Sequence, residues 1–150
     1  MEKEKKSPQI TPLFVFLMAA LMSLVALSID TILPAMGFIR EKFEVSLSES
    51  HWILTSLFLG LCVGQLFFGS LSDSIGRKNT AYIGVTIFIL GSIVSYNASD
   101  YLTFVNGRII QGFGIAAPRI VSQAIIRDVS SGNTMARLNS YVMTIFIMVP

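Results

Sequence analysis

The sequence GSLSDSIGRK at residues 69–78 separates two long segments that carry no formal charge. Residues 50–72 before its aspartate and residues 79–99 after its lysine contain no Asp, Glu, Lys or Arg, and neither do residues 7–29. A transmembrane helix needs about 20 predominantly apolar residues at a rise of about 1.5 Å per residue. The pattern therefore predicts membrane-spanning helices joined by short polar loops.

The composition of the 150 residues agrees with residence in a membrane. Hydrophobic residues make up 53% of the chain and charged residues 13%, and the mean hydropathy is +0.68. Since soluble domains carry about 25% charged residues, this composition argues against a soluble enzyme, a nucleic-acid-binding domain and a disordered chain. Cys62 is the single cysteine, and no Cys/His cluster suggests a metal site. We expect no enzymatic activity, no cofactor and no nucleic-acid partner.

The fold class predicted from these segments is an all-α, polytopic membrane helix bundle. Barrel strands are unlikely because they are about ten residues long and alternate in polarity. Thr11 before Pro12 suits a helix start, and Ser46 with Glu49 matches a capping box. We predict four complete spans and an incomplete fifth, at residues 12–36, 50–71, 79–98, 101–126 and 136–150.

The basic residues give the orientation of these spans. One side of the membrane holds most of them, and the other side holds only Arg40 and Lys42. Because cytoplasmic loops are enriched in Lys and Arg, the richer side is predicted to be cytoplasmic together with the N-terminus. The net charge of +2 is then a topology signal. The basic residues of the cytoplasmic side are Lys3, Lys5, Lys6, Arg77, Lys78, Arg127 and Arg137.

Two opposite charges fall at matched depth within the predicted spans. Asp30 and Arg108 each lie about six residues, or roughly 9 Å, from the outer ends of helices 1 and 4. A charge at mid-bilayer costs about 2.5–3.5 kcal/mol, so such residues normally face a partner or an aqueous cavity. We expect the two residues to pair and to bind protons or substrate. A purely structural ion pair is the alternative.

The same face of helix 4 carries further polar residues. Arg119 follows Arg108 by three helical turns plus about 20°, and Gln111 lies near that stripe. One side of the helix is therefore expected to line a polar interior and to bind substrate or protons. Arg119 has the alternative of extending its side chain toward the cytoplasm.

Glycines at helical spacing predict close helix packing. Gly60 and Gly64 are four residues apart in helix 2, and such small residues allow two helix backbones to approach. Gly112 in helix 4 is assigned the same role.

The loop at residues 69–78 resembles the G-x-L-a-D-r-x-G-r-k signature between helices 2 and 3 of the major facilitator superfamily. Ser72 and Ser74 depart from it. Asp73 and Arg77 can pair across one helical turn, and a glycine at position 76 permits a turn. We therefore expect a conformational latch here. The matching residues are Gly69, Leu71, Asp73, Gly76, Arg77 and Lys78.

Two further stretches narrow the resemblance. The sequence RIIQGFGIA at residues 108–116 resembles a signature of proton-coupled members, and DTILP at residues 30–34 is similar to an element of the drug/proton antiporter branch. Residues 117–119 and 125–128 look most like the Bcr/CflA group of multidrug exporters.

The resemblance implies a twelve-helix transporter of two six-helix halves that alternates access to a central cavity. Residues 1–150 would then be part of the N-terminal half and would need the C-terminal half as partner. The implied function is proton-coupled export of drugs or small metabolites across a bacterial inner membrane, with the proton gradient as energy source. An importer of a metabolite or siderophore, and a truncated protein acting only by helix association, remain as alternatives.

Overall fold

The computed structural model describes residues 11–148, which form six α-helices and no strand. Four stretches are long and apolar enough to cross a membrane: α1 and α2 taken together, α3, α4 and α5. The predicted all-α membrane bundle is confirmed. The helices are α1 (Pro12–Asp30), α2 (Ile32–Phe43), α3 (Leu47–Ile75), α4 (Arg77–Tyr96), α5 (Tyr101–Val129) and α6 (Gly132–Met148).

The first span differs from the prediction in two ways. It is divided at Thr31, and its second part continues to Phe43, beyond the predicted end at residue 36. Pro34 explains the division, because proline has no N–H to offer the carbonyl of Asp30 and its ring crowds that carbonyl. The extension carries Arg40 and Lys42 in its last turn, and positive charges stabilise the C-terminal end of a helix. The end of the apolar segment is therefore not the end of the helix.

The remaining helices begin earlier or end later than their apolar segments. The capping box starts α3 at Leu47: Ser46 Oγ accepts from the Glu49 amide at 3.2 Å, and Glu49 Oε2 accepts from the Ser46 amide at 2.7 Å. Gly76 joins α3 to α4 with a φ of +90°, a backbone conformation that favours glycine. The fifth predicted helix begins at Gly132 instead of residue 136. Residues 149 and 150 lie outside the described residues.

The bundle is built around α5, which α3 and α4 approach at backbone distance. A Cβ atom added to Gly60 of α3 would lie 2.0 Å from the carbonyl oxygen of Ile109, and one added to Gly112 would lie 2.0 Å from that of Leu57. On the other side, a Cβ atom at Gly91 of α4 would lie 2.5 Å from the Gln111 amide nitrogen. Glycine at these crossings is therefore a steric requirement.

The first helix packs against the far half of α5 and against α6. Val15, Met18, Ala19 and Met22 form a buried apolar cluster with three residues of these helices. Those residues are Ile126, Leu138 and Val142. The half of α1 near Asp30 belongs to a second buried cluster, in which Val25 lies with Leu57 of α3 and Ile115 of α5.

The helix crossing at Gly60 can be tested by substitution. We expect Gly60→Ala to lower the unfolding temperature in detergent, since the added methyl group would overlap a backbone carbonyl and overpacking costs about 1–3 kcal/mol. Gly69→Ala in the same helix is the control, because its Cβ would meet no described atom within 4 Å. It should be neutral or stabilising, since alanine is the better helix former. Equal melting temperatures for the two variants would contradict the close crossing.

Candidate functional site

A buried arginine and a glutamine form the polar centre of the bundle. Arg108 of α5 is only 6% exposed, and its Nη1 donates to Gln111 Oε1 at 2.7 Å. Gln111 Nε2 donates to Ser92 Oγ of α4 at 2.8 Å. The guanidinium also lies over the ring of Phe104, with 5.9 Å between its carbon and the ring centroid. The Nε of Arg108 has no hydrogen-bond partner in the described part of the chain.

The arginine and the glutamine line a recess of about 350 Å³ between the first span, α4 and α5. The first span contributes Ser28 and Thr31, which lie next to the division between α1 and α2. The recess thus combines apolar walls with a cation and an amide, an arrangement suited to binding a small molecule in a defined orientation. Its lining residues are Leu24, Leu27, Ser28, Thr31, Ile32, Phe88, Arg108 and Gln111.

Asp30 does not form the predicted ion pair with Arg108. Both ion pairs found among residues 11–148 belong to Arg77, and Asp30 is half-buried outside the described lining of the recess. The physical reason is rotation about the helix axis. Residues 24, 27, 28 and 31 share one face of the first span, whereas Asp30 lies about 100° from Thr31. The sequence predicted how deep in the membrane the two charges lie, but not which way each side chain faces around its helix axis.

Arg119 is also separate from this recess. It lies on α5 eleven residues beyond Arg108, is half-buried, and is not among the described residues that line the recess. Of the residues in the predicted polar stripe of α5, Arg108 and Gln111 line the recess and Arg119 does not.

Two of the residues predicted to form a latch, Asp73 and Arg77, meet at the opposite end of α5 from the recess. Arg77 Nη1 donates to Asp73 Oδ1 at 2.7 Å and to Ser72 Oγ at 2.8 Å, and its Nε donates to Asp128 Oδ2 at 3.1 Å. Arg77 therefore links the ends of α3 and α5 at the start of α4. Lys78 lies over the ring of Tyr82, 5.8 Å from its centroid.

Asp128 is a partner that the sequence analysis did not assign. It lies 51 residues from Arg77, so helical spacing could not connect the two side chains. Asp73 and Asp128 are largely exposed, at 72% and 54%. Exposed pairs contribute about 0–1 kcal/mol to stability. The contacts of Arg77 therefore add little to overall stability. Their main effect is to fix the end of α3 relative to the end of α5.

The other end of the bundle is joined by aromatic and carbonyl contacts. Lys42 Nζ donates to the Ala98 carbonyl at 3.3 Å, and the ring of Phe43 packs on those of Tyr101 and Phe104, at centroid distances of 6.2 and 5.5 Å. The Tyr101 hydroxyl donates to the carbonyl of Glu49. These contacts tie α2 and the start of α3 to the start of α5.

The family to which the sequence matches identifies the class of protein. Residues 16–150 match the model of the Major Facilitator Superfamily. The chain belongs to the major facilitator superfamily. It is a multi-pass membrane protein, in agreement with its membrane-length helices.

Curated relatives are about one-third identical to this chain over the aligned residues. An uncharacterized MFS-type transporter of Bacillus subtilis, YdgK, is 34% identical over 135 residues, which cover 90% of this chain and 34% of the relative. A bicyclomycin resistance protein homolog of Haemophilus influenzae is 31% identical over 140 residues, covering 93% and 35%. The multidrug resistance protein MdtL of Citrobacter koseri is 32% identical over 131 residues, covering 87% and 34%. The chain thus spans about a third of the length of these relatives.

The N-cap of α5 gives a pH-dependent prediction. Asp100 accepts from the Thr103 amide at 2.7 Å and from its hydroxyl at 2.8 Å, and these hydrogen bonds lower the pKa of Asp100 below its ordinary value. The stabilisation is therefore present above the unfolded-state pKa of about 3.9 and is lost as the pH falls through the lower folded-state value. We expect Asp100→Ala to lower the unfolding temperature at pH 7.

This difference from the parent protein should shrink when melting is measured below about pH 4. Ser99→Ala, at an exposed neighbouring position, is the control and should change melting little at either pH. An unfolding difference for Asp100→Ala that is the same at both pH values would show that the carboxylate does not act as the cap.

Proposed function

We propose that the chain is the N-terminal part of a proton-coupled secondary transporter that exports drugs or small metabolites by alternating access. The observation that carries this proposal is the buried Arg108, held by Gln111 at the wall of a recess between membrane-length helices. Ionisable residues in such helices are costly and commonly mark substrate or ion pathways. The names of two relatives, a bicyclomycin resistance protein homolog and a multidrug resistance protein, support drug-like substrates.

In this proposal the coupling depends on charge. Asp30 binds either a proton or the positive group of a substrate. The two exclude each other because a protonated, neutral carboxyl group no longer attracts a cation. Arg108, Gln111 and Arg119 orient the substrate. The energy comes from the proton gradient across a bacterial inner membrane and requires no bound cofactor. The basic residues of the N-terminal side favour a cytoplasmic N-terminus.

The latch residues would act on the movement of the two halves. Gly69, Asp73, Gly76, Arg77 and Lys78 lie at the α3–α4 connection, and Arg77 connects it to Asp128 of α5. We propose that the other half of the transporter contacts this surface in one of its two access states. Breaking the Arg77 contacts would then change the balance between those states.

The roles of the two charged residues can be measured as efflux. In the complete protein, Asp30→Asn and Arg108→Ala are each expected to lower proton-driven efflux of a cationic fluorescent drug from energised cells at least tenfold, about 1.4 kcal/mol in the transport barrier. Glu41→Gln, an exposed carboxylate on α2, is the control and should retain efflux. Membrane levels of each variant are compared by immunoblot.

Efflux at the parent level in both variants would contradict the proposed mechanism. Proton-driven accumulation of the drug by right-side-out vesicles, with no efflux, would instead establish an importer of the same fold.

The latch is tested by removing its central cation. Arg77→Gln removes the charge-assisted hydrogen bonds to Asp73 and Asp128, so we expect the maximal efflux rate to fall severalfold while the apparent KM for the drug changes less. Arg127→Gln, the loss of an exposed neighbouring charge, is the control. The kinetics are measured over a range of drug concentrations. An equal fall in both variants would attribute the effect to net charge and not to the Arg77 contacts.

A further inference from the structure

A chain of three hydrogen bonds connects the backbone of α4 to Arg108. Ser92 Oγ donates to the carbonyl of Phe88 at 2.8 Å, one turn earlier on the same helix. The same oxygen accepts from Gln111 Nε2 at 2.8 Å, and Gln111 Oε1 accepts from Arg108 Nη1 at 2.7 Å. The proton of Ser92 is therefore committed to α4, and its lone pair faces Gln111.

The two ends of the Gln111 amide are chemically different, so its orientation has consequences for Arg108. The nitrogen end can only donate and the oxygen end can only accept, while a guanidinium has donors alone. A reversed amide would place donor against donor at a buried position. Arg108 requires the oxygen end, and Ser92, whose proton is held by the Phe88 carbonyl, accepts from the nitrogen end and so favours the same orientation.

We propose that Ser92 is a positioning residue for Arg108 and acts through Gln111. Ser92 is half-buried and is not among the described residues that line the recess, so its proposed effect on a molecule bound there passes through Gln111. The inference rests on the proposed function, in which Arg108 and Gln111 take part in transport. It adds a polar residue of α4 to a site to which that helix otherwise contributes Phe88.

The contribution of Ser92 is separable from helix packing. The backbones of α4 and α5 approach closely at Gly91, where an added Cβ atom would lie 2.5 Å from the Gln111 amide nitrogen. Ser92→Ala leaves these backbone contacts in place and removes only the hydroxyl group. Ser92→Thr keeps the hydroxyl group and should restore the hydrogen bond.

The structure also offers a matched control on α4. The Thr86 hydroxyl donates to the carbonyl of Tyr82 at 2.9 Å, as Ser92 does to Phe88, but Thr86 is exposed. Thr86→Val therefore removes the same kind of intrahelical hydrogen bond without touching Gln111.

Efflux by the complete protein tests the consequence for transport. We expect Ser92→Ala to lower the efflux rate about three- to tenfold, the range for one lost hydrogen bond. Ser92→Thr and Thr86→Val should stay near the parent rate. Because Ser92 acts through Gln111, the double variant Ser92→Ala/Gln111→Leu should be no slower than Gln111→Leu.

Nuclear magnetic resonance of side-chain amides tests the contact without any assumption about transport. The ¹⁵N-labelled glutamine amide pair that disappears in Gln111→Leu is assigned to Gln111. It should move in Ser92→Ala and hold its position in Thr86→Val. A resonance that does not move in Ser92→Ala would overturn the inference.

Parent-level efflux by Ser92→Ala, in a protein whose Arg108→Ala variant is inactive, would overturn it as well. So would multiplicative losses in the double variant. If the parent protein shows no proton-driven efflux, the proposed function fails on its own. The resonance of Gln111 then decides whether Ser92 positions this amide.

Discussion

The approach of α3 and α4 to the backbone of α5 is the constraint on which the rest of the bundle depends. Gly60 and Gly112 allow one crossing and Gly91 helps to allow the other, each at a distance that a side chain would fill. Because lipid is as apolar as a leucine side chain, close contact and hydrogen bonding hold membrane helices together. The same closeness brings Ser92 within 2.8 Å of Gln111. The polar centre is thus a product of the small-residue crossings.

The two ends of the bundle are joined by different chemistry. At the α3–α4 turn a single guanidinium reaches Asp73 and Asp128, both largely exposed to solvent. At the opposite end a lysine and a tyrosine donate to backbone carbonyls, and three aromatic rings pack together. Exposed ion pairs are weak and sensitive to salt, whereas the packing of aromatic rings depends little on salt. The first end is therefore easier to rearrange than the second.

Local patterns predicted most of the architecture and only part of the candidate site. Uncharged segments located the membrane-length helices, and Ser46 with Glu49 gave the start of α3, because these features act within one helix or one turn. The division at Thr31 was not predicted, although Pro34 indicates an interrupted helix at this point of the sequence. Contacts between distant residues could not be predicted: Ser92 meets Gln111 only through the rotation of two helices. The expected pairing of Asp30 with Arg108 was wrong for the same reason.

The division of the first span has a mechanical consequence. On one side of Thr31, α1 packs with the far half of α5 and with α6, and on the other side Lys42 and Phe43 anchor α2 to the start of α5. Between them the carbonyl of Asp30 lacks the helical donor that Pro34 cannot supply. The span is therefore two helical segments, each packed against a different end of α5, and Asp30 lies next to the interruption between them. Since the span lacks a helical hydrogen bond at this point, a change in the angle between its two segments would occur in the backbone around Asp30.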